Sequence, residues 1–174
     1  MHWNQISRCD VEVQFEDIDA GGVVHHPNYL KYLERARCQA MREIGVPFEN
    51  CLEQGVAFVV AEVHSKYLRP LRFGQRVSVL TQVAAFRTSS LKIFQKIVAL
   101  PEGTNSWAPT LSATAFFAAH AENYFQAQLR LVTISLGTGK PMPIPKNILS
   151  AGGFPSDPVL QSNRQWTDVR LERE

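Results

Sequence analysis

Three acids fall within four residues of one another at Glu16, Asp17 and Asp19, inside the stretch "FEDIDAGGVVHHPNYLKYLERAR". Gly21 and Gly22 follow, then an apolar pair, then His25 and His26 beside Pro27. Each feature has an ordinary structural reading: acids before a helix are often solvated, and Gly-Gly is often only a turn. Their combination points to chemistry. Asp19 stands two residues before glycines that let backbone approach a ligand closely. Just beyond lie the free N–H groups of an incoming helix, which favour developing negative charge. A carboxylate facing such an oxyanion site suits acyl transfer or hydrolysis. GxSxG, GxxxxGK[ST] and GxGxxG are all absent, so a serine elbow and the common nucleotide-phosphate loops have no support. A His-His pair without a third ligand is weak evidence for a metal, and no metal or cofactor is expected.

These residues need a frame. From Asn28 the apolar positions Tyr29, Leu30, Leu33, Ala36, Ala40, Met41 and Ile44 recur every three or four residues and predict a long helix. Asn28 is the expected N-cap, Gly45 the expected residue just past the end, and Pro47 bars continuation. "PFENCLEQG" is expected to add a short helical piece. The stretch "CDVEVQF" alternates as a strand does. Runs 57–68, 76–86, 90–100 and 127–136 are rich in Val, Ile, Leu and Phe, and the first three are joined by short polar connections suited to antiparallel neighbours. The fold class expected is α+β, an antiparallel sheet with one long helix against a face. Segment 101–128 is long for a hairpin connection; either a short helix carrying Ala113, Phe116, Phe117, His120 and Tyr124, or extension of the flanking strands, accounts for it. "PMPIP" should be extended.

With 45% hydrophobic and 20% charged residues, the composition reads as that of an ordinary soluble globular protein. A chain of 174 residues suggests one domain with a real core. The expected division is a single domain over 1–149, with an insertion around 101–128, and a C-terminal polar tail over 150–174. A net charge of +2 is too small to argue for nucleic acid. Cys9, Cys38 and Cys51 are odd in number and lack CxxC spacing, which favours a reducing, cytoplasmic setting. No signal core and no window long enough for a membrane span is present.

The opening motif resembles the signature of the 4-hydroxybenzoyl-CoA thioesterase family, most closely its Tol–Pal-associated (YbgC-type) acyl-CoA thioesterase branch: D-x-D-A-G-G-V-V, a usually aromatic position that is His25 here, a histidine, Asn-Tyr and an E-R-A-R helix. "AFVVAEVHSKYLRPLRFGQ", "RTSSLKIFQKIV" and "LVTISLGTGKPMPIP" extend the resemblance over most of residues 10–149. It implies the hotdog fold, a long central helix wrapped by an antiparallel sheet, paired into homodimers or homotetramers with active sites at the subunit interface. It implies hydrolysis of a short-chain or aromatic acyl-CoA to free acid and CoA, with Asp19 as general base or nucleophile and His26 assisting, its backbone N–H toward the thioester oxygen. Expected substrate-binding positions are Gly22, Val24 and Tyr29 near the motif, with Arg69 and the turn residues Arg87, Thr88, Ser89 and Ser90 meeting the nucleotide; Lys66 and Arg72 are further cations. Glu16 and Asp17 read as a cap or solvated acids, His25 as pocket wall or surface, and Leu33 and Arg37 as structural. The sequence departs from the pattern at Phe15, where many relatives of this branch carry Tyr, and at "FGQ" (73–75), where they carry an acid. Two alternatives stay open: the same chemistry on acyl carrier protein thioesters, and a non-catalytic acyl-binding or scaffold protein.

Overall fold

The structure is a computed structural model and describes residues 6–100 and 123–154. The chain forms β1 (Ser7–Glu12), a 3₁₀ turn at Phe15–Asp17, α1 (His26–Glu43), α2 (Phe48–Glu53), β2 (Val56–Tyr67), β3 (Arg76–Arg87), β4 (Ser90–Ala99), β5 (Asn123–Ser135) and α3 (Lys146–Ala151). All strand pairs are antiparallel, in the order β1-β3-β4-β5-β2. Among the described residues β1 and β2 are therefore the two edges, and the helical segment between them carries the chain from one edge to the other. Register shifts at Val60/Glu62 in β2 and Val83/Ala85 in β3 bend those strands. This is the α+β arrangement the periodicity predicts.

One face of α1 buries Tyr29, Tyr32, Leu33 and Ala36 against Val77, Val79, Ile97, Phe125, Ala127 and Leu129 of the sheet. A second apolar cluster lies toward the other end of α1, built from Val46, Cys51, Phe58, Phe86, Leu91, Ile93, Leu131, Ile144 and Ile148. Between them runs a buried polar tie. Arg37 Nη1 donates to Gln95 Oε1 at 2.8 Å, and Gln95 Nε2 donates to Thr81 Oγ1 at 2.8 Å and to the Leu33 carbonyl at 3.0 Å. Glu34, one turn earlier on α1, completes the charge pairing of Arg37.

Four local expectations change. α1 starts at His26, not after Asn28, because Pro27 is well suited to a first helical turn, where its missing N–H has no cost. Asn28 is buried inside the helix and its Nδ2 donates to the Asp17 carbonyl at 3.1 Å. The first strand ends at Glu12, because Phe15–Asp17 tighten into a turn closed by Asp17 on the Gln14 N–H at 3.0 Å. β5 begins at Asn123 rather than 127, so Tyr124 lies in a strand and not in a helix; Ala113, Phe116, Phe117 and His120 lie outside the described residues. The expected boundary at 149 falls inside α3, where Ile148 is buried and Phe154 packs on the same cluster. Gly152 makes that closure possible: a Cβ there would sit 2.4 Å from the Phe154 ring.

Burial of Tyr29 and Tyr32 has a consequence at high pH. Burial is the main cause that pushes both phenols above the usual 10.0, and for Tyr32 the neighbouring Asp17 carboxylate adds to it. Below that value the folded and unfolded phenols are both protonated; above it only the unfolded chain releases these protons, so stability falls as pH rises. In an alkaline titration, phenolate absorbance of Tyr29 and Tyr32 is expected to appear together with loss of the helical circular-dichroism signal. Complete ionisation of all four tyrosines with that signal intact would refute the burial argument.

Candidate active site

The loop between the 3₁₀ turn and α1 is pinned at both ends. The Asp17 carbonyl accepts from the His25 N–H at 2.8 Å, and the Val24 N–H donates to the Leu71 carbonyl at 2.8 Å. Ile18 and Val24 form an isolated antiparallel bridge. Within this frame the chain turns tightly: the Asp19 N–H donates to the Val23 carbonyl at 2.9 Å, and the Gly22 N–H returns to the Asp19 carbonyl at 3.0 Å. Gly22 has φ +73°, the left-handed region that side chains disfavour.

Asp19 is exposed, and its Oδ1 accepts the Gly21 N–H at 2.8 Å. Among the described residues its Oδ2 has no partner, so one carboxylate oxygen is held and the other faces solvent. Gly21 gives this geometry its room, since a Cβ there would lie 3.1 Å from Oδ1. Gly22→Ala meets no neighbouring atom within 4 Å, so its cost is backbone strain alone. We expect it to lower stability by about 1–2 kcal/mol, read as a shifted urea midpoint; an unchanged midpoint would show that the loop relaxes freely.

α1 begins seven residues after Asp19. His26 occupies the first helical position, where its N–H has no partner within the helix. The rings of His25 and His26 lie edge to face with centroids 4.8 Å apart, both exposed. The Tyr67 hydroxyl, at the end of β2, donates to the His26 carbonyl at 3.0 Å. The Tyr67 ring packs on Tyr29 and Phe125 at 5.1 and 4.9 Å between centroids, fixing the helix start against the sheet. Tyr67 was visible in sequence only as the first residue of Tyr-x-x-Pro-x-Arg; its tie to the helix start needed the fold.

The expected site residues do not all gather here. Gly22 is exposed in the loop, whereas Val24 and Tyr29 are buried beneath it, and the Tyr29 hydroxyl accepts the Leu71 N–H at 3.1 Å. Phe15 lies at 80% exposure, edge-on to Phe73 at 6.1 Å. Arg69 and Arg72 follow β2 and are exposed on the same end. Arg87, Thr88, Ser89 and Ser90 form the β3–β4 turn at the other end. The Asp19 loop is joined to residues 71–75, which lead into β3, and β3 runs from Arg76 to Arg87. At roughly 3.3 Å per residue, the turn stands about 35 Å from that end. Arg87 and Ser90 there line an open groove of about 740 Å³ with His64, Lys92 and the ion pair Arg130–Glu62. The carbonyls of Thr88 and Ser89 accept the N–H groups of Ile144 and Thr133 at 2.7 and 2.9 Å, so these residues hold the C-terminal segment in place.

Among the described residues, no group of three His, Cys, Asp or Glu side chains is placed to hold a metal, and no helix is long and apolar enough to cross a membrane.

Residues 13–152 match the family model of the thioesterase-like superfamily. An acyl-CoA thioester hydrolase YbgC of Escherichia coli is 36% identical over 91 residues, 52% of this chain and 68% of that protein. An acyl-CoA thioesterase YbgC of Haemophilus influenzae is 28% identical over 142 residues, covering 81% of this chain and 90% of its own. The solved structure of a 1,4-dihydroxy-2-naphthoyl-CoA thioesterase from Synechocystis superposes with a TM-score of 0.69 over 85% of this chain and 96% of that one, at 17% identity, and so shares the fold. By its matched residues, its helix-in-sheet architecture and its D-x-D-A-G-G loop, the chain belongs to the thioesterase-like superfamily of hotdog proteins, with the YbgC-type thioesterases.

Proposed function

We propose that this protein hydrolyses short-chain or aromatic acyl-CoA thioesters to the free acid and CoA, with Asp19 as the catalytic carboxylate. One observation carries the reading: a solvent-facing carboxylate is oriented by the Gly21 N–H at 2.8 Å, directly before the free N–H groups of an 18-residue helix. As general base, Asp19 Oδ2 takes a proton from water as the water oxygen attacks the thioester carbon. The carbonyl oxygen gains negative charge, which the His26 N–H and the positive end of α1 stabilise. Collapse of the adduct breaks the C–S bond and releases CoA thiolate. As nucleophile, Asp19 Oδ2 attacks the thioester carbon, the C–S bond breaks with loss of CoA thiolate, and water then cleaves the mixed anhydride to the free acid and the Asp19 carboxylate. The YbgC relatives named acyl-CoA thioesterases support this substrate class.

The distance between Asp19 and the Arg87 turn argues for a second subunit. β2 is an edge strand whose Val59, Val60, Val63 and Tyr67 are exposed, an apolar edge of the kind that recruits another strand. Antiparallel pairing of two β2 edges about a two-fold axis reverses one subunit against the other. The partner's cationic groove then approaches this subunit's Asp19, and supplies the charge that the phosphates of CoA require.

Thiol release across acetyl to palmitoyl and benzoyl groups, each presented on CoA and on acyl carrier protein, tests the substrate. The expected maximum lies with short or aromatic CoA thioesters; turnover at background for every CoA thioester would overturn the proposal. Arg87→Glu is expected to raise KM for CoA thioesters about tenfold while leaving a truncated N-acetylcysteamine thioester unaffected. An equal change for both substrates would remove Arg87 from nucleotide binding.

A further inference from the structure

Under the second half of α1 lies a partly enclosed cavity of about 70 Å³, separate from the Asp19 loop. From His26 to Arg37 the helix advances about 16 Å at roughly 1.5 Å per residue, so the two sites are at different levels of the fold. Most of the wall is apolar: Met41, Phe48, Ile93, Ile148 and Phe154 contribute to it. One part of the wall is not. Ser7, Arg37 and Thr81 also line the space.

Each of these three groups has a hydrogen-bond donor left over. The Ser7 hydroxyl is buried, its residue 3% exposed, and has no hydrogen-bond partner among the described residues. A buried hydroxyl left unpaired is destabilising, so its retention asks for an explanation. Arg37 is 5% exposed. Its bonds to Gln95 and Glu34 use two of the guanidinium's five N–H groups. Thr81 Oγ1 accepts from Gln95 Nε2, which leaves its own proton to give. Glu34 already neutralises Arg37, but its side chain is half exposed, so solvent screens it from a second anion.

We propose that this cavity is a binding site for a short-chain carboxylate, its head on Ser7, Arg37 and Thr81 and its tail among Met41, Phe48 and Phe154. A carboxylate only accepts hydrogen bonds, which matches a polar wall made of donors. The size sets how much of the ligand is enclosed. A cavity of roughly 150 Å³ holds the six carbons of benzene, so about half that volume encloses a carboxylate and its first carbon, and the tail of propionate or butyrate runs out through the partly open mouth.

The chain has three methionines, of which Met41 lines the cavity and Met142 does not. In protein labelled with ¹³C at the methionine methyls, propionate and butyrate at constant ionic strength are expected to shift the Met41 resonance saturably while Met142 stays fixed. Propanol and butanol, which lack the charge, should bind about tenfold more weakly, and Ser7→Ala should weaken butyrate by about tenfold. Met41 unmoved by either acid, equal shifts at Met41 and Met142, or full affinity retained for the alcohols and in Ser7→Ala would each overturn the site. None of these readouts depends on thioester turnover.

Discussion

Asp19→Asn is expected to lower kcat for thioester hydrolysis by about 10²–10⁴-fold, the usual contribution of a positioned general base. The substitution keeps the shape of the side chain and an oxygen that can still accept the Gly21 N–H, now 2.8 Å away. Asp19 is exposed, so removing its charge leaves no buried group stranded and stability should stay within about 0.5 kcal/mol. The loop bonds from Asp19 to Val23 and from Gly22 to Asp19 are backbone bonds and survive. What disappears is the basic oxygen that accepts the proton from water, or that attacks carbon. The loss should therefore fall on kcat, with KM for the CoA thioester little changed. His26→Ala provides the contrast: if its role is the backbone N–H, the variant keeps most activity, because alanine supplies the same N–H. Turnover of Asp19→Asn within threefold of the parent protein would end the case for this carboxylate.

The largest stability effect is expected at Gln95. Gln95→Leu removes the acceptor for Arg37 Nη1 and the donor for both Thr81 Oγ1 and the Leu33 carbonyl, all within the buried layer between the two apolar clusters. Glu34 still pairs Arg37, but three buried groups lose their hydrogen-bond partner at about 1–3 kcal/mol each before relaxation, so a loss of about 3–5 kcal/mol is expected. Burial already disfavours the charged form of Arg37, with Glu34 opposing that trend, so Gln95 is a support the guanidinium can ill lose. A shift of the urea midpoint with unchanged m-value would report this loss. The double variant Arg37→Met, Gln95→Leu should recover part of it, since a hydrophobic replacement of the whole buried unit leaves no stranded charge. If Gln95→Leu costs less than about 1 kcal/mol, the tie is filler rather than support.

The elements that were legible in sequence are those made by neighbours along the chain. Spacing of three and four along Tyr29, Leu33 and Ala36 is a property of one helix, and the same face is buried in the fold. Gly45 ends that helix at φ +80°, as its place after Ile44 predicts. Asp17 as a cap follows equally from local contact, because its partner, Gln14, is three residues away. α1 starts three residues before the place its capping signal predicts, because Asn28, a good capping residue, is held instead by the Asp17 carbonyl across a loop.

Residue types and short spacings thus determined the α+β class, the long helix, and the juxtaposition of Asp19, Gly21, Gly22 and a helix start, since each depends on hydrogen bonds and periodicities that close within a few residues. Tertiary structure alone decided the rest. Arg37 meets Gln95 across 58 positions of sequence, and Tyr67 reaches the His26 carbonyl across 41. The Arg87 turn lies at the far end of the sheet from Asp19 because β3 spans its full length, and Ser7, Arg37 and Thr81 share a cavity because β1, α1 and β3 pack there. Such meetings are set by how apolar faces bury against one another, and no pattern along the chain encodes which polar side chains are carried inside with them.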